Sequence, residues 1–213
     1  MPPPPLVDVV VPARNDAASL GPLLRDLPHR AIRSAVVVDR ASTDRTAEIA
    51  RDAGALVLRE PSGGYGAAYL RAQAHFSSLP RVPDVLVFLP GDRPAAARAV
   101  EALVAPIAER GLELVLGIEP GRRQLGEKLV TRLIDTVYRH RWSGVGPVRA
   151  MRFPALIALG MSDRSDGWDV EMLVRAVKLG LSCDEIELPD DARRAPRALG
   201  RALLHILRHS TMR

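Results

Sequence analysis

The chain has 213 residues, 47% of them apolar, with 30 basic and 25 acidic side chains. That length sets one domain of ordinary size, burying about 70% of its surface on folding, and the composition excludes a disordered chain. Six of the basic residues crowd into 193–213, where there is no acid, so the remaining body is nearly neutral; with aromatics at only 4%, nucleic acid is not an expected partner.

In chain order, residues 1–5 open as a proline-rich tail, expected to be extended and solvated. The tail lacks the basic and apolar parts of a secretory signal, and no apolar run reaches the roughly 18 residues needed to span a bilayer. Short β-branched runs at Val7–Val11, Ser34–Val38, Ala55–Leu58, Asp84–Leu89 and Leu112–Gly117 read as buried strands. Between them Ala17–Leu27, Thr43–Ala53, Gly66–Ser77 and Ala95–Glu109 show helical spacing, and Gly54 is suited to end the second helix. Alternation of this kind predicts an α/β fold: an open, mostly parallel sheet with helices on both faces.

The second half predicts a helix over Leu125–Arg139, a turn-rich loop at Ser143–Pro147 and a strand at Val148–Arg152. A second loop at Ser162–Gly167 leads to a helix over Trp168–Leu179 and a strand at Ser182–Leu188. The last segment, Arg197–Arg208, has helical spacing, with Leu199, Leu203 and Ile206 on one stripe. The expected organisation is therefore a tail at 1–5, a domain at 6–192 and a basic helical segment at 193–213. A single cysteine, Cys183, rules out an internal disulfide and fits a reducing, cytoplasmic setting; it reads as a small apolar residue at the start of a strand.

Ligands of an open parallel sheet bind beyond the carboxyl ends of its strands. Four polar sequences fall there: Pro12-Ala13-Arg14-Asn15-Asp16, Asp39-Arg40-Ala41-Ser42-Thr43-Asp44, Gly63-Gly64-Tyr65-Gly66 and Pro90-Gly91-Asp92. Asn15, Asp16, Ser42 and Asp44 are also ordinary helix-capping types, and glycines close turns anywhere. Four such strand ends on one edge favour a binding site.

The ordered set VDVVVPARNDAASLGPLL, VVVDRASTDRTAEIARDAGA, REPSGGYGAA and DVLVFLPGD, followed by GPVRAM and DGWDVEMLVRAVKLGL, resembles family 2 glycosyltransferases over roughly residues 6–188. It is most similar to the small soluble members related to dolichyl-phosphate mannose and glucose synthases. The resemblance implies a GT-A fold, a UDP- or GDP-sugar donor, an inverting transfer of a hexose, and Mg²⁺ or Mn²⁺ at a DxD motif. Its residues carry over position by position. Asp39 would accept the imide N–H of the base, with Pro12, Ala13, Asn15 and Asp16 around it. Gly64 and Gly66 would let the chain pass close to a ligand. Asp92, after Gly91, would be the metal ligand, and Arg149 matches the arginine of GPFRAI. Glu171 matches the acid of GWTVEM and is the candidate to orient or deprotonate the acceptor, with Asp166 and Asp169 nearby. Trp168 is expected to pack rather than to stack on a sugar.

The chain departs from the family in definite places. Pro90 stands for the first DxD carboxylate, Arg93-Pro94 for polar or acidic residues, Arg40-Ala41 for Asp or Asn and then Gly, Asp16 for Glu, and Gly144 for an acid. A single carboxylate implies a metal held weakly and only with nucleotide. The acceptor class ranges from a polyprenyl phosphate to a small alcohol, and peripheral membrane contact through 193–213 and a homodimer stay open. The alternatives are an impaired glycosyltransferase-like binding protein and, from Gly64-Tyr65-Gly66, a nicotinamide-binding dehydrogenase.

Overall fold

The computed structural model describes residues 3–61, 64–118, 131, 132, 134–136 and 142–188. Its centre is a seven-stranded sheet of order β3-β2-β1-β4-β6-β5-β7. The strands are β1 (Val7–Ala13), β2 (Ser34–Asp39), β3 (Leu56–Arg59), β4 (Val85–Phe88), β5 (Leu114–Ile118), β6 (Val148–Arg152) and β7 (Cys183–Glu187). All neighbours are parallel except β6, which runs antiparallel to both β4 and β5. The expected strands therefore stand to within about two residues, and the α/β open sheet is the fold. The antiparallel run of β6 was not legible from spacing.

Successive side chains of a strand point to opposite faces. Val9, Val11, Val37, Val85, Val87, Val115 and Ala150 face one side, under α1 (Ala17–Arg25), α2 (Thr46–Asp52) and α4 (Val100–Arg110), the last entered by a 3₁₀ turn at Pro94–Ala99. Val10, Val36, Val38, Leu86, Phe88, Leu116 and Met151 face the other, under α3 (Tyr65–Ser77), α5 (Phe153–Leu159) and α6 (Trp168–Lys178). Gly54 follows α2 at φ 79°, the left-handed conformation that a side chain would strain. Helix α5 was not expected: its run Phe-Pro-Ala-Leu-Ile-Ala-Leu shows no polar face, yet Pro154 starts a helix well because its missing N–H has no partner there anyway.

Trp168 is 1% exposed and stacks among Tyr69 and Phe88, so it is a core residue. Cys183 is half-buried, and burial pushes its thiol up to about 12, which keeps it protonated and unreactive. The helix expected over Leu125–Arg139 is described only at 131, 132 and 134–136, which are helical. Gly63 and the basic segment at 193–213, with its stripe, lie outside the described residues. No helix among the described residues is long and apolar enough to cross a membrane.

Candidate active site

Strand order reverses between β1 and β4, because the chain leaves β1 toward β2 and β3 on one side and continues at β4 on the other. A crevice opens at such a switch point beyond the carboxyl ends of the strands. The N–H groups of Leu89 and Gly91 donate to Val10 O and Pro12 O at 3.0 and 3.2 Å, which zips the segment after β4 onto the end of β1. Asp16, three residues beyond β1, and Asp92, four beyond β4, are thereby brought to the same place. Gly91 fits between them only because it has no side chain: a Cβ there would sit 2.8 Å from Asp16 Oδ2 and 3.1 Å from Ala13 Cβ.

The two carboxylates sense one another. Burial, foremost, and the charges of Asp92 and Asp44 push the Asp16 carboxyl above its ordinary value, against the Arg14 N–H and the charge of Arg40. Asp16 Oδ2 accepts from Arg14 N–H at 2.8 Å and caps nothing in α1. Asp92 Oδ1 is buried with no hydrogen-bond partner. An orphaned carboxylate oxygen beside a second carboxylate is what an incoming hard cation relieves, so the donor set fits Mg²⁺ or Mn²⁺. Among the described residues no group of three acids or histidines gathers to hold such an ion unaided.

Asp39 ends β2 with 6% exposure, and one of its oxygens accepts from Ser42 N–H at 3.1 Å. Pro12 and Ala13 are buried beside it, Ala13 being its register partner across β1 and β2. The loops after β1 and β2 are laced together. Asn15 N–H donates to Ser42 Oγ, Thr43 N–H to Asn15 Oδ1, Asp16 N–H to Thr46 Oγ1 and Ala17 N–H to Asp44 Oδ2, at 2.8 to 3.1 Å. Asp44 thus serves α1 from the neighbouring loop, and the Thr46 hydroxyl bonded to it holds its carboxyl below the ordinary range. Asn15 is a strut between the loops, its Oδ1 accepting from Thr43. Ala41 holds φ 55°, where the resembled family has glycine; a left-handed alanine costs about 1–2 kcal/mol, strain of the kind that gathers at sites.

Four expected site residues, Gly64, Gly66, Glu171 and Arg149, pack against the protein's own chain. A Cβ on Gly64 would lie 2.7 Å from Ser165 Cα, and one on Gly66 2.1 Å from Asp163 O. The N–H groups of Gly64 and Ala67 donate to Arg164 O, and that of Gly66 to Ser165 O, each at 3.0 Å. The amino end of α3 is therefore capped by loop 162–167, with Asp166 Oδ1 at 3.5 Å from Tyr65 N, and no room is left there for a pyrophosphate. That removes the dehydrogenase alternative.

Glu171 is fully buried, accepting from Ser162 N–H, Ser162 Oγ and Asp163 N–H at 2.8 to 3.2 Å and pairing with Arg175 at 2.8 Å. Its carboxylate holds loop 162–167 through these bonds. Arg149, on β6 opposite Phe88, is likewise fully buried, 2.5 Å from Asp169 Oδ1 and close to Met172 and Trp168. Its guanidinium holds the Asp169 carboxylate. The Asp169 side chain keeps 10% exposure, and Asp166 is exposed in the loop. Sequence reasoning missed Arg40 and Tyr65. The Arg40 guanidinium lies 4.1 Å above the Tyr65 ring, a pairing that no local spacing announces.

A sheet of this order, with a carboxylate following the strand beside the switch point, is the GT-A architecture of nucleotide-sugar transferases. The chain belongs to Glycosyl transferase family 2, whose family model matches residues 8–154. An uncharacterized glycosyltransferase of Mycobacterium tuberculosis (strain H37Rv) is 32% identical over 190 residues, 85% of this chain and 84% of that protein. Glycosyltransferase AglJ of Haloferax volcanii is 25% identical over 191 residues, 85% of this chain and 61% of that protein. Among solved structures, glucosyl-3-phosphoglycerate synthase from Mycobacterium tuberculosis, in complex with phosphoglyceric acid, matches with a TM-score of 0.80 at 20% identity, covering 97% of this chain and 80% of that one. The same enzyme with Mn²⁺, UDP-glucose and phosphoglyceric acid matches at 0.79, also at 20% identity. At that identity the likeness is one of fold.

Proposed function

We propose that this glycosyltransferase moves a hexose, with inversion, from a UDP- or GDP-sugar held at the β1/β4 switch point to a polyprenyl phosphate or a small alcohol. The observation that carries the proposal is the convergence of Asp39, Asp16 and Asp92 on one sheet edge, with the Asp92 Oδ1 buried and unpartnered. Asp39 accepts the imide N–H of uracil or guanine, and the backbone at Pro12 and Ala13 lines the base. Asp92 would hold Mg²⁺ or Mn²⁺, with Asp16 beside it. Such a cation, when bound, supplies positive charge for the departing nucleoside diphosphate.

On the acceptor side Asp169, fixed by Arg149, is the carboxylate placed to orient the attacking hydroxyl or phosphate, with exposed Asp166 at the loop. In an inverting transfer the acceptor oxygen bonds the anomeric carbon from the face opposite the nucleoside diphosphate, which leaves with the bonding electron pair. A hydroxyl acceptor then sheds its proton to a carboxylate, whereas a phosphate arrives already ionised. Pro90, which takes the place of a carboxylate, favours a second reading in which nucleotide binds without turnover.

Calorimetry with UDP and GDP tests the donor site. Asp39→Ala is expected to weaken binding by about 1–3 kcal/mol, the range for losing a charge-assisted hydrogen bond. Unchanged affinity in a folded variant removes the base-site assignment. Sugar transfer or donor hydrolysis in Mn²⁺ then separates the enzyme from the second reading: binding with no turnover on any donor supports the latter.

A further inference from the structure

The crevice contains a cation that neither the resemblance nor the family match assigns. Arg40 follows Asp39 directly, at a position where the resembled family carries Asp or Asn. Its backbone N–H donates to Ala13 O at 2.9 Å, which ties it to the end of β1. Its guanidinium lies over the Tyr65 ring at 4.1 Å, a stacking that pins the charge without neutralising it. The Nε is buried with no hydrogen-bond partner.

Three other arginines of the chain are committed elsewhere. Arg149 pairs with Asp169, Arg175 with Glu171, and Arg164 lies 3.7 Å from Glu60. The amino end of α3, the usual rest for a phosphate, is filled by the carbonyls of Arg164 and Ser165. Asp39, Asp16 and Asp92 lie at the strand ends of this edge, and Pro90 stands where the resembled family has a further carboxylate. A diphosphate entering there meets these carboxylates, and a fixed positive group offsets their charge.

We propose that Arg40 is a donor-binding residue that contacts the diphosphate of the nucleotide sugar, held for the purpose by Tyr65 and supplying charge that a DxD site otherwise leaves to its metal. The proposal rests on the donor-site reading above. A guanidinium offers several donors in a planar fork suited to phosphate oxygens. Nucleotide binding accordingly survives metal removal.

The test is calorimetry on the full chain with uridine, UMP and UDP, and with guanosine, GMP and GDP, each in excess chelator and in Mn²⁺. Wild type binds a diphosphate in chelator. Arg40→Gln, with its melting transition intact, weakens that diphosphate about tenfold in chelator, as expected for a lost charge-assisted contact, while nucleoside and monophosphate change far less. Arg40→Lys recovers part of the loss, and Tyr65→Leu, which frees the guanidinium, loses part. An equal factor for nucleoside, monophosphate and diphosphate places Arg40 on the base or ribose and overturns the assignment. Unchanged diphosphate affinity in Arg40→Gln overturns it as well, with the donor site left standing. Failure of wild type to bind any of the six compounds in either condition overturns the donor-site reading itself, and Arg40's role falls with it.

Discussion

Asp16 sits where burial and the charges of Asp92 and Asp44 work against its ionisation. Its carboxyl is raised above 3.8, so the folded chain binds that proton more tightly than the unfolded chain does. Ionised Asp16 therefore subtracts stability at all pH above the folded value, and the deficit vanishes as pH falls below 3.8, where both states are protonated. Asp16→Asn keeps an oxygen for Arg14 N–H and removes the charge. It is expected to raise the melting temperature at pH 7, with the gain shrinking steadily toward pH 4. A gain that persists unchanged at low pH, or a loss at pH 7, shows that Asp16 is not under this electrostatic load. The proposed donor site would account for that disadvantage by using the charge, the usual trade of stability against activity at a site.

At the level of elements, loop 162–167 and the start of α3 form one unit clamped by Glu171. The carboxylate gathers Ser162 and Asp163, and the loop carbonyls beyond them cap α3. In Glu171→Gln one oxygen becomes an NH₂ that faces backbone N–H donors and loses its pairing with Arg175, a change expected to cost about 1–3 kcal/mol. The loop should then open locally, and Arg164, exposed at its crest, should become a trypsin site. Mass spectrometry of early digests checks this: faster cleavage after Arg164, with other sites unchanged, is the expected result, and an unaltered digest contradicts the clamp. Elements such as these also mark how far the sequence could be read. Val7–Ala13, Ser34–Asp39 and their neighbours announce themselves because their signal is local: β-branched runs between breakers. Asp39, Asp16 and Asp92 were legible as polar strand ends for the same reason. The inward turn of Glu171 and Arg149 was not, since each depends on a partner brought by the tertiary fold. Gly64 and Gly66 show the ambiguity well. The sequence demands a close approach at both but cannot say that the approaching group is Ser165 and Asp163 of the same chain.

Taken whole, the proposed function divides labour across the sheet edge: β1, β2 and β4 would present the carboxylates of the donor side, and the α3–α6 layer would carry the acceptor loop. On the proposed reading a divalent cation would meet one orphaned carboxylate oxygen, on Asp92, with Asp16 beside it, which is too few ligands to retain it alone. Diphosphate oxygens would complete the set, so the proposal expects metal and nucleotide to bind as coupled ligands. Mn²⁺ by itself is expected to leave the melting temperature where it is, whereas UDP or GDP alone raises it modestly through Asp39 and Arg40. Both together should raise it by more than the sum. A nucleotide at about one hundred times its Kd stabilises by about 2.7 kcal/mol, or about 5–10 °C for a domain of this size. In Asp92→Asn the nucleotide shift should remain and the extra shift from Mn²⁺ should disappear. An equal Mn²⁺ shift with and without nucleotide would mean that the protein already supplies a complete metal site, and the single-carboxylate account of this crevice would then be wrong.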